Sequence, residues 1–485
     1  MSVERAVAKR ERTFFGHPWG LAALFSVETW ERFSFYGMQA ILAYYLYYSV
    51  ADGGLGLERS SATSIVGAYG GLVYLSTVVG AWLADRVLGA ERTLFGGALV
   101  IMAGHLCLAF VPGLGGVGAG LVLVAFGSGA LKTSSTAMVG ELYTADDRRR
   151  DAGFSLYYMG VNLGGFFGPL ITGAAQHHAG FHVGFGLAAV GMAIGLIVYT
   201  VMRRSLGGLG GAVPNPLPAG GLRRALAGAV VVAVVVVVAA VSGLLRASNL
   251  AAVVAGVTAV VAAGYFAYIL GSSKISAGER RRVFAFLPMF AASTVFWSLY
   301  QQQFTTVAVY ADSRVNRTIF GWEIPPSWVQ SINPVFIIVF AGVFAAVWTA
   351  LGPAQPSAPA KFALGTAIMG VAFLCFLPMA GGGPNSAPLL GLIGILMLFS
   401  FAELMLSPVG LSLATRLAPR AFHSQLVALF FLSVALGTAL SGVLAGWYDP
   451  QREVPYFLIL GLASLLVSAA IAAASGWIKV QMRGD

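Results

Sequence analysis

The stretch "VETWERFSFYG", Val27 to Gly37, places Glu28, Glu31 and Arg32 inside a run that otherwise reads as apolar from about residue 19 to 48. On a helix these three stand at i, i+3 and i+4 and share one face, which Tyr36 and Gln39 continue. An ionisable group at the centre of a bilayer is costly, so it faces a partner or a water-filled path. The stretch therefore reads as the inward face of a membrane-spanning helix. The rest of the chain must then supply the walls of a polar interior.

Composition agrees. Of 485 residues, 58% are hydrophobic and only 10% charged, where a soluble protein carries about a quarter. Segments long enough to cross a ~30 Å hydrocarbon core fall at about 19–48, 61–85, 92–112, 117–142, 153–176, 182–202, 222–245, 249–271, 281–310, 328–351, 361–380, 388–415, 422–446 and 455–478. The fold class is an all-α polytopic membrane protein with fourteen transmembrane helices. Of the 29 Lys and Arg residues, 22 lie in loops and ends on the side of the N-terminus. Five lie on the other side (Arg59, Arg246, Arg314, Arg317 and Arg452), and Arg32 and Lys132 lie inside spans. That asymmetry predicts cytoplasmic termini at both ends. The net charge of +10 thus marks topology beside anionic lipid rather than a nucleic-acid surface. The N-terminal "MSVERAVAKRERTFFGHPW" leads into its span without a small-residue cleavage site, which predicts a retained first helix. Cys107 and Cys375 are expected to be buried thiols, without disulfide or metal role.

Five parts follow along the chain: a cytoplasmic N-terminus (1–18), a six-helix bundle (19–202), a linker with two extra helices (203–280), a second six-helix bundle (281–478) and a cytoplasmic C-terminus (479–485). The linker opens on "GGLGGAVPNPLPAGG". Its first helix reads "AVVVAVVVVVAAVSGLL", predicting a lipid-facing hairpin. "GAWLADRVLGAERT", Gly80 to Thr93, resembles the loop motif of the major facilitator superfamily, with Asp85 and Arg86 in a structural role. Two such halves rocking about a midplane site is the architecture this implies. Pro169, Pro288, Pro334 and Pro408 offer places for spans to bend.

With the topology markers set aside, the charges at depth are Glu28, Glu31, Arg32, Lys132 and Glu403. Lys132 and Glu403 each lie about 15 residues into a span running outside to inside. At 1.5 Å per residue that puts both past the midplane, in opposite halves. A pair there would close the inner side of a cavity and open when either partner changes charge. Three acids against two bases leave one surplus carboxylate, and binding a proton is the natural way to balance it. Tyr74, Asn162, Asn333 and Ser407 add polar contacts at depth. His105, His177, His178 and His182 show no ligand spacing and read as structural.

Three motifs together resemble the proton-coupled oligopeptide transporter family. "ETWERFSFYG" is similar to its first-helix pattern E-x-x-E-R-F-x-Y-Y-G. "GSGALKTSSTAMVGELY" and "FSLYYMGVNLGGF" match its fourth- and fifth-helix region. "FAELMLSPVGLSL" resembles the helix carrying its gating glutamate. The likeness covers nearly the whole chain, and the two extra helices match bacterial members. It implies a major facilitator fold and a proton-coupled symporter importing di- and tripeptides by alternating access. Glu28, Glu31, Arg32 and Lys132 would couple protons. Arg32 and Lys132 would face a peptide's carboxylate, and Glu403, Asn333 and Asn162 its ammonium. Tyr36, Tyr74, Gln39, Gln301, Trp297 and Ser407 would complete the binding site. Lys132 and Glu403 would form the inner gate. Protons are the coupling ion, with no other cofactor, no metal and no catalytic group. The partners are peptide, proton and lipid, with a monomer in a bacterial plasma membrane as the working unit.

Four positions depart from that pattern. Phe35 stands in place of a tyrosine, Gln39 of an arginine, Gln301 of a glutamate and Phe430 of a tryptophan. The outer gate, Gln39 with Gln301, is therefore expected to be a neutral amide pair, insensitive to pH. The nearest rival is a transporter of the same fold carrying nitrate, a peptide-like drug or a conjugated metabolite. An enzyme is disfavoured, since neither G-x-S-x-G nor H-E-x-x-H occurs, and no Gly-Lys dipeptide exists to build a P-loop.

Overall fold

The computed structural model describes residues 13–144 and 147–482. The expected chain ends, 1–18 and 479–485, therefore lie partly outside the described residues. The first half consists of α1 (Gly20–Tyr47), α2 (Arg59–Leu83), α3 (Ala90–Phe110), α4 (Gly113–Glu141), α5 (Arg150–Ala179) and α6 (Phe181–Met202). After it come α7 (Gly221–Val241) and α8 (Leu250–Leu270). The second half holds α9 (Ala277–Tyr300), the short α10 (Thr306–Ser313), α11 (Ile332–Leu351), α12 (Ala358–Leu374), α13 (Leu389–Leu417), α14 (His423–Ala445) and α15 (Glu453–Met482). In hydrocarbon no water satisfies the backbone, so each crossing closes its hydrogen bonds within a helix. Among the described residues, twelve helical stretches are long and apolar enough to cross a membrane. The long helices α1 and α5 fall outside that set because they are more polar. The protein is a multi-pass, all-α membrane protein.

The segment expected as one span over 281–310 is broken. α9 ends in a 3-10 turn, Gln301–Phe304, and Thr305 leaves helical geometry (φ −119°, ψ −96°) before α10 resumes. Pro169 and Pro288 do lie inside α5 and α9. Pro334, expected to bend a span, sits instead in the first turn of α11, where its missing N–H breaks no helical bond. Pro408 falls within α13, and its side chain lies outside the described residues. Of the two cysteines expected to be buried, Cys107 is half-buried and Cys375 is exposed. Cys375 immediately follows the last residue of α12.

Buried side chains form two hydrophobic clusters. One is drawn almost entirely from α1 to α6, the other from α8 to α15. Two glycines set the spacing around the polar stretch of α1. A Cβ on Gly164 would strike the Thr29 carbonyl, and one on Gly168 the Phe33 carbonyl, so α5 presses backbone to backbone on α1. The extra helices differ from each other, although both were expected to face lipid. α7 buries no residue, whereas α8 buries Ala251, Ala255, Thr258, Ala262, Phe266 and Ile269. Ala251 N–H donates to Ser64 Oγ of α2 at 3.1 Å. The loop before α7 folds back on the first half, where Asn215 Nδ2 donates to Asp85 at 2.9 Å. Asp85 thus ties that loop to the segment after α2.

The basic loops gather at one end of the molecule, and the hydrogen bonds that cross between halves gather at the other. Tyr47, the last residue of α1, and Tyr48 just after it donate to the two carboxylate oxygens of Asp312 in α10, at 2.7 and 2.8 Å. Tyr44 reaches the Ala308 carbonyl at 3.2 Å. Trp328 Nε1 and Ser331 Oγ donate to the Leu170 and Phe166 carbonyls of α5, at 3.0 and 2.8 Å. The molecule is closed at this end.

Candidate functional site

The stripe on α1 is fully buried: Glu28 is 2% exposed, Glu31 0% and Arg32 4%. Arg32 Nε lies 3.2 Å from Glu28 Oε1 and 2.6 Å from Glu31 Oε2. The remaining carboxylate oxygens are met by hydroxyls from neighbouring helices. Ser128 of α4 donates to Glu31 Oε1 at 2.7 Å. Ser135 of α4 and Tyr157 of α5 both reach Glu28 Oε2, at 2.9 and 2.7 Å. One edge of Arg32 remains open, with Nη2 buried and without a hydrogen-bond partner. The guanidinium lies 5.0 Å from the centroid of Phe35 and 5.9 Å from that of Tyr36. Phenylalanine at 35 therefore still offers the cation an aromatic face. Tyr36 in turn stacks on Phe304 of the opposite half at 6.2 Å.

The second half presents one acid. Tyr300 donates to Glu403 Oε2 at 2.5 Å and lies 3.1 Å from Asn333 Oδ1. Asn333 Nδ2 donates to Ser400 Oγ at 2.9 Å. Tyr300, Asn333, Ser400 and Glu403 thus form a single network joining α9, α11 and α13. Trp297 packs edge-on against Tyr300 at 5.2 Å, and its indole N–H is buried without a partner. Two other hollows, one against Phe95, Leu99 and Leu196, the other against Trp30, Phe167 and Val190, are lined almost wholly by apolar side chains. Neither is lined by an ionisable side chain.

Several expected pairings are absent in this conformation. Among the described residues no ion pair joins Lys132 to Glu403. The Lys132 ammonium instead lies 4.8 Å from the Tyr74 ring centroid, and the Tyr74 hydroxyl faces Gln301. Gln39 and Gln301 are both buried, yet no described hydrogen bond links them, and Gln39 Oε1 has no partner. The side chains that do join the halves at that end are Asp312 with its two tyrosines, together with Tyr44, Trp328 and Ser331. Asn162 donates to the Tyr158 carbonyl of its own helix at 3.0 Å, and Ser407 is half-buried on α13. Phe430, the fourth departure, is buried against α13, where Gly410 leaves room for its ring. Of the histidines, His105 is fully buried, and His182 bonds the Leu108 carbonyl at 3.0 Å.

Sequence reasoning missed Ser128, Ser135, Tyr157, Tyr300, Ser400 and Asp312. The hydroxyls carry no charge, and apolar helices use such residues routinely to bond their own backbone. Asp312 was hidden among the Arg314 and Arg317 loop markers.

The sequence profile of the POT family matches residues 91–456. A Bacillus subtilis (strain 168) protein named as an uncharacterized transporter, YclF, is 41% identical over 476 residues, covering 98% of this chain and 97% of its own. A di-/tripeptide transporter of Lactococcus lactis subsp. cremoris is 40% identical over 475 residues, covering 95% of each chain. The crystal structure of a mutant peptide transporter POT in complex with alafosfalin superposes with a TM-score of 0.92 at 44% identity, over 98% of each chain. With whole-chain likeness in sequence and in three dimensions, and the motifs of α1, α4, α5 and α13 in place, this chain belongs to the POT family.

Proposed function

We propose that the protein is a proton-coupled symporter that imports di- and tripeptides by alternating access. The observation that carries this reading is the distribution of charge across the two halves. A buried guanidinium with an open edge stands in the first, and a carboxylate held by a tyrosine in the second. A dipeptide is a zwitterion. Its carboxylate suits Arg32 Nη2 and Lys132, and its ammonium suits Glu403 with Asn333 beside it. Tyr36, Tyr74 and Trp297 would line the space between, contacting backbone and side chains without reading their identity closely, which favours broad selectivity. Asn162, Ser407, Gln39 and Gln301 would extend the same wall. Names given to relatives, di-/tripeptide transporter among them, support the substrate class.

Glu28, Glu31, Arg32 and Lys132 would carry the coupling. Surplus acid in a low-dielectric chamber makes proton uptake the condition for neutrality. Lys132 and Glu403, unpaired here, would meet when the basic end closes, as the Asp312 contacts release the other end. The 22 to 5 distribution of basic residues supports cytoplasmic termini, so the present conformation would open inward. No oligomer is needed for this cycle, and we take the monomer as the working unit.

Uptake of labelled dialanine into proteoliposomes, with competitors present in excess, tests the substrate class. Dipeptides and tripeptides should compete strongly, while free alanine, nitrate and a glutathione conjugate should not. Competition by nitrate or the conjugate in place of peptides would refute the assignment.

A further inference from the structure

The basic ends of α3 and α6 carry a feature that the peptide path does not use. A hollow of about 360 Å³ lies between these helices, lined chiefly by Phe95, Leu99, Met102, Leu196, Ile197 and Val201. Leu99 and Ile197 are 43% and 63% exposed, so the hollow is an open groove on the surface of the first half. Its volume lies in the ~300–1,000 Å³ range of small-ligand sites. The lining has one side-chain hydroxyl, on Thr200, and that donates to the Leu196 carbonyl of its own helix at 2.6 Å. The part of any occupant that fills the groove must therefore be hydrocarbon.

Depth fixes which hydrocarbon. α3 begins at Ala90, and at 1.5 Å per residue Met102 stands about 18 Å along it. One leaflet of a ~30 Å hydrocarbon core is about 15 Å deep. The groove thus runs from the polar boundary to near the midplane, the course of a single acyl chain. At its mouth the lining faces turn cationic. Arg92 precedes Phe95 by three residues on α3, and Arg204 follows Val201 by three in the 3-10 turn that ends α6, so both continue the lining rows. Both are exposed. Arg203 stands over the Phe95 ring itself, its guanidinium 5.1 Å from the centroid. Glu91 takes Arg203 Nε at 2.7 Å and Nη2 at 2.9 Å, which holds the side chain in place and leaves Nη1 for another anion. Phe95 in turn stacks on the buried Tyr199 ring at 6.3 Å. Floor and mouth are set before any ligand arrives, which lowers the cost of binding.

We propose that this groove binds an anionic phospholipid, with one acyl chain lying between α3 and α6 and the phosphate held by Arg92, Arg203 and Arg204. Three guanidiniums against the one carboxylate of Glu91 leave a surplus of positive charge at the mouth. A pure hydrocarbon would leave that charge unmet, and a soluble anion would leave the groove unfilled. A lipid with an anionic headgroup matches both parts. Glu91 N–H also donates to the Gly210 carbonyl at 3.0 Å, so the bound lipid would brace α3, α6 and the loop before α7 together. The site does not depend on which solute the protein carries.

Native mass spectrometry of the detergent-purified full chain, titrated with phosphatidylglycerol or with phosphatidylcholine, tests this. An arginine near an anionic headgroup contributes about fivefold, so phosphatidylglycerol should bind roughly tenfold or more tightly than phosphatidylcholine. By the same measure, Arg92→Gln combined with Arg204→Gln should weaken phosphatidylglycerol binding by roughly tenfold or more. Ile197→Trp fills the groove at an exposed position and should weaken binding comparably, although all three arginines remain. Arg280→Gln combined with Arg281→Gln, equally exposed but at the start of α9, should leave binding almost unchanged. Should Ile197→Trp fail to fold, Leu99→Trp on the opposite wall serves the same test. Equal binding of the two lipids overturns the proposal. So does a groove-filled variant that binds like wild type, since the chain then lies elsewhere. An equal loss in the α9 pair also overturns it, because attraction would then be diffuse over the basic surface.

Discussion

Arg32 is where the site's contacts converge: two carboxylates hold one edge of its guanidinium, two aromatic rings lie near it, and Nη2 is left for a ligand. That the two glutamates and Arg32 converge was legible from the chain alone, because i, i+3 and i+4 spacing on one helix sets the shared face without help from any neighbour. What it could not supply is the phase of α4, α5 and α9 about their own axes, and so Ser128, Ser135, Tyr157 and Tyr300 stayed out of view. Tyr300 bears a direct consequence. Its hydroxyl is the 2.5 Å donor to Glu403, and a hydrogen bond to a charged group contributes roughly 1.5–3 kcal/mol. Tyr300→Phe should therefore raise the KM for dialanine about tenfold or more, measured as concentration-dependent uptake in proteoliposomes. An unchanged KM would mean that Glu403 does not meet the peptide. Gln39 carries a second consequence. With a neutral amide at position 39, Gln39→Ala should leave the pH profile of uptake in place, whereas Glu31→Gln should abolish its proton dependence. A Gln39→Ala profile displaced as strongly as that of Glu31→Gln would contradict this.

At the scale of elements, the helix break at Gln301–Phe304 decides what seals the closed end. It sets α10 against α1, bringing Asp312 within reach of Tyr47 and Tyr48. Apolar run length alone could not reveal that break, since 281–310 reads as one continuous segment. Asp312→Ala removes two hydroxyl–carboxylate bonds that tie the halves together at this end. Loss of bonds of this kind should raise the population open at this end by roughly tenfold or more. Pulsed electron paramagnetic resonance between spin labels flanking α1 and α10 would measure it, and an unaltered distance distribution would show that the seal lies elsewhere. The contrast between α7 and α8 was partly legible. Ala251, Ala255, Thr258 and Ala262 recur every three or four residues and mark a packing face of small side chains. The valines of α7 run on without any such period, and that helix buries nothing.

For the whole molecule, two buried clusters, contacts across the halves at one end and acids outnumbering bases in between make a single mechanical unit. Hydropathy and basic-residue placement made the architecture legible because the bilayer imposes length and sidedness on every span. The conformation was not legible, because one sequence must fit both ends of the transport cycle and the energies separating them are small. The central claim is that peptide movement is tied to protons. It is tested most directly by dialanine accumulation in proteoliposomes of purified protein, with and without an imposed inward proton gradient. The account predicts uphill accumulation with the gradient and mere equilibration when pH difference and voltage are both clamped at zero. Equal accumulation under the two conditions would contradict it.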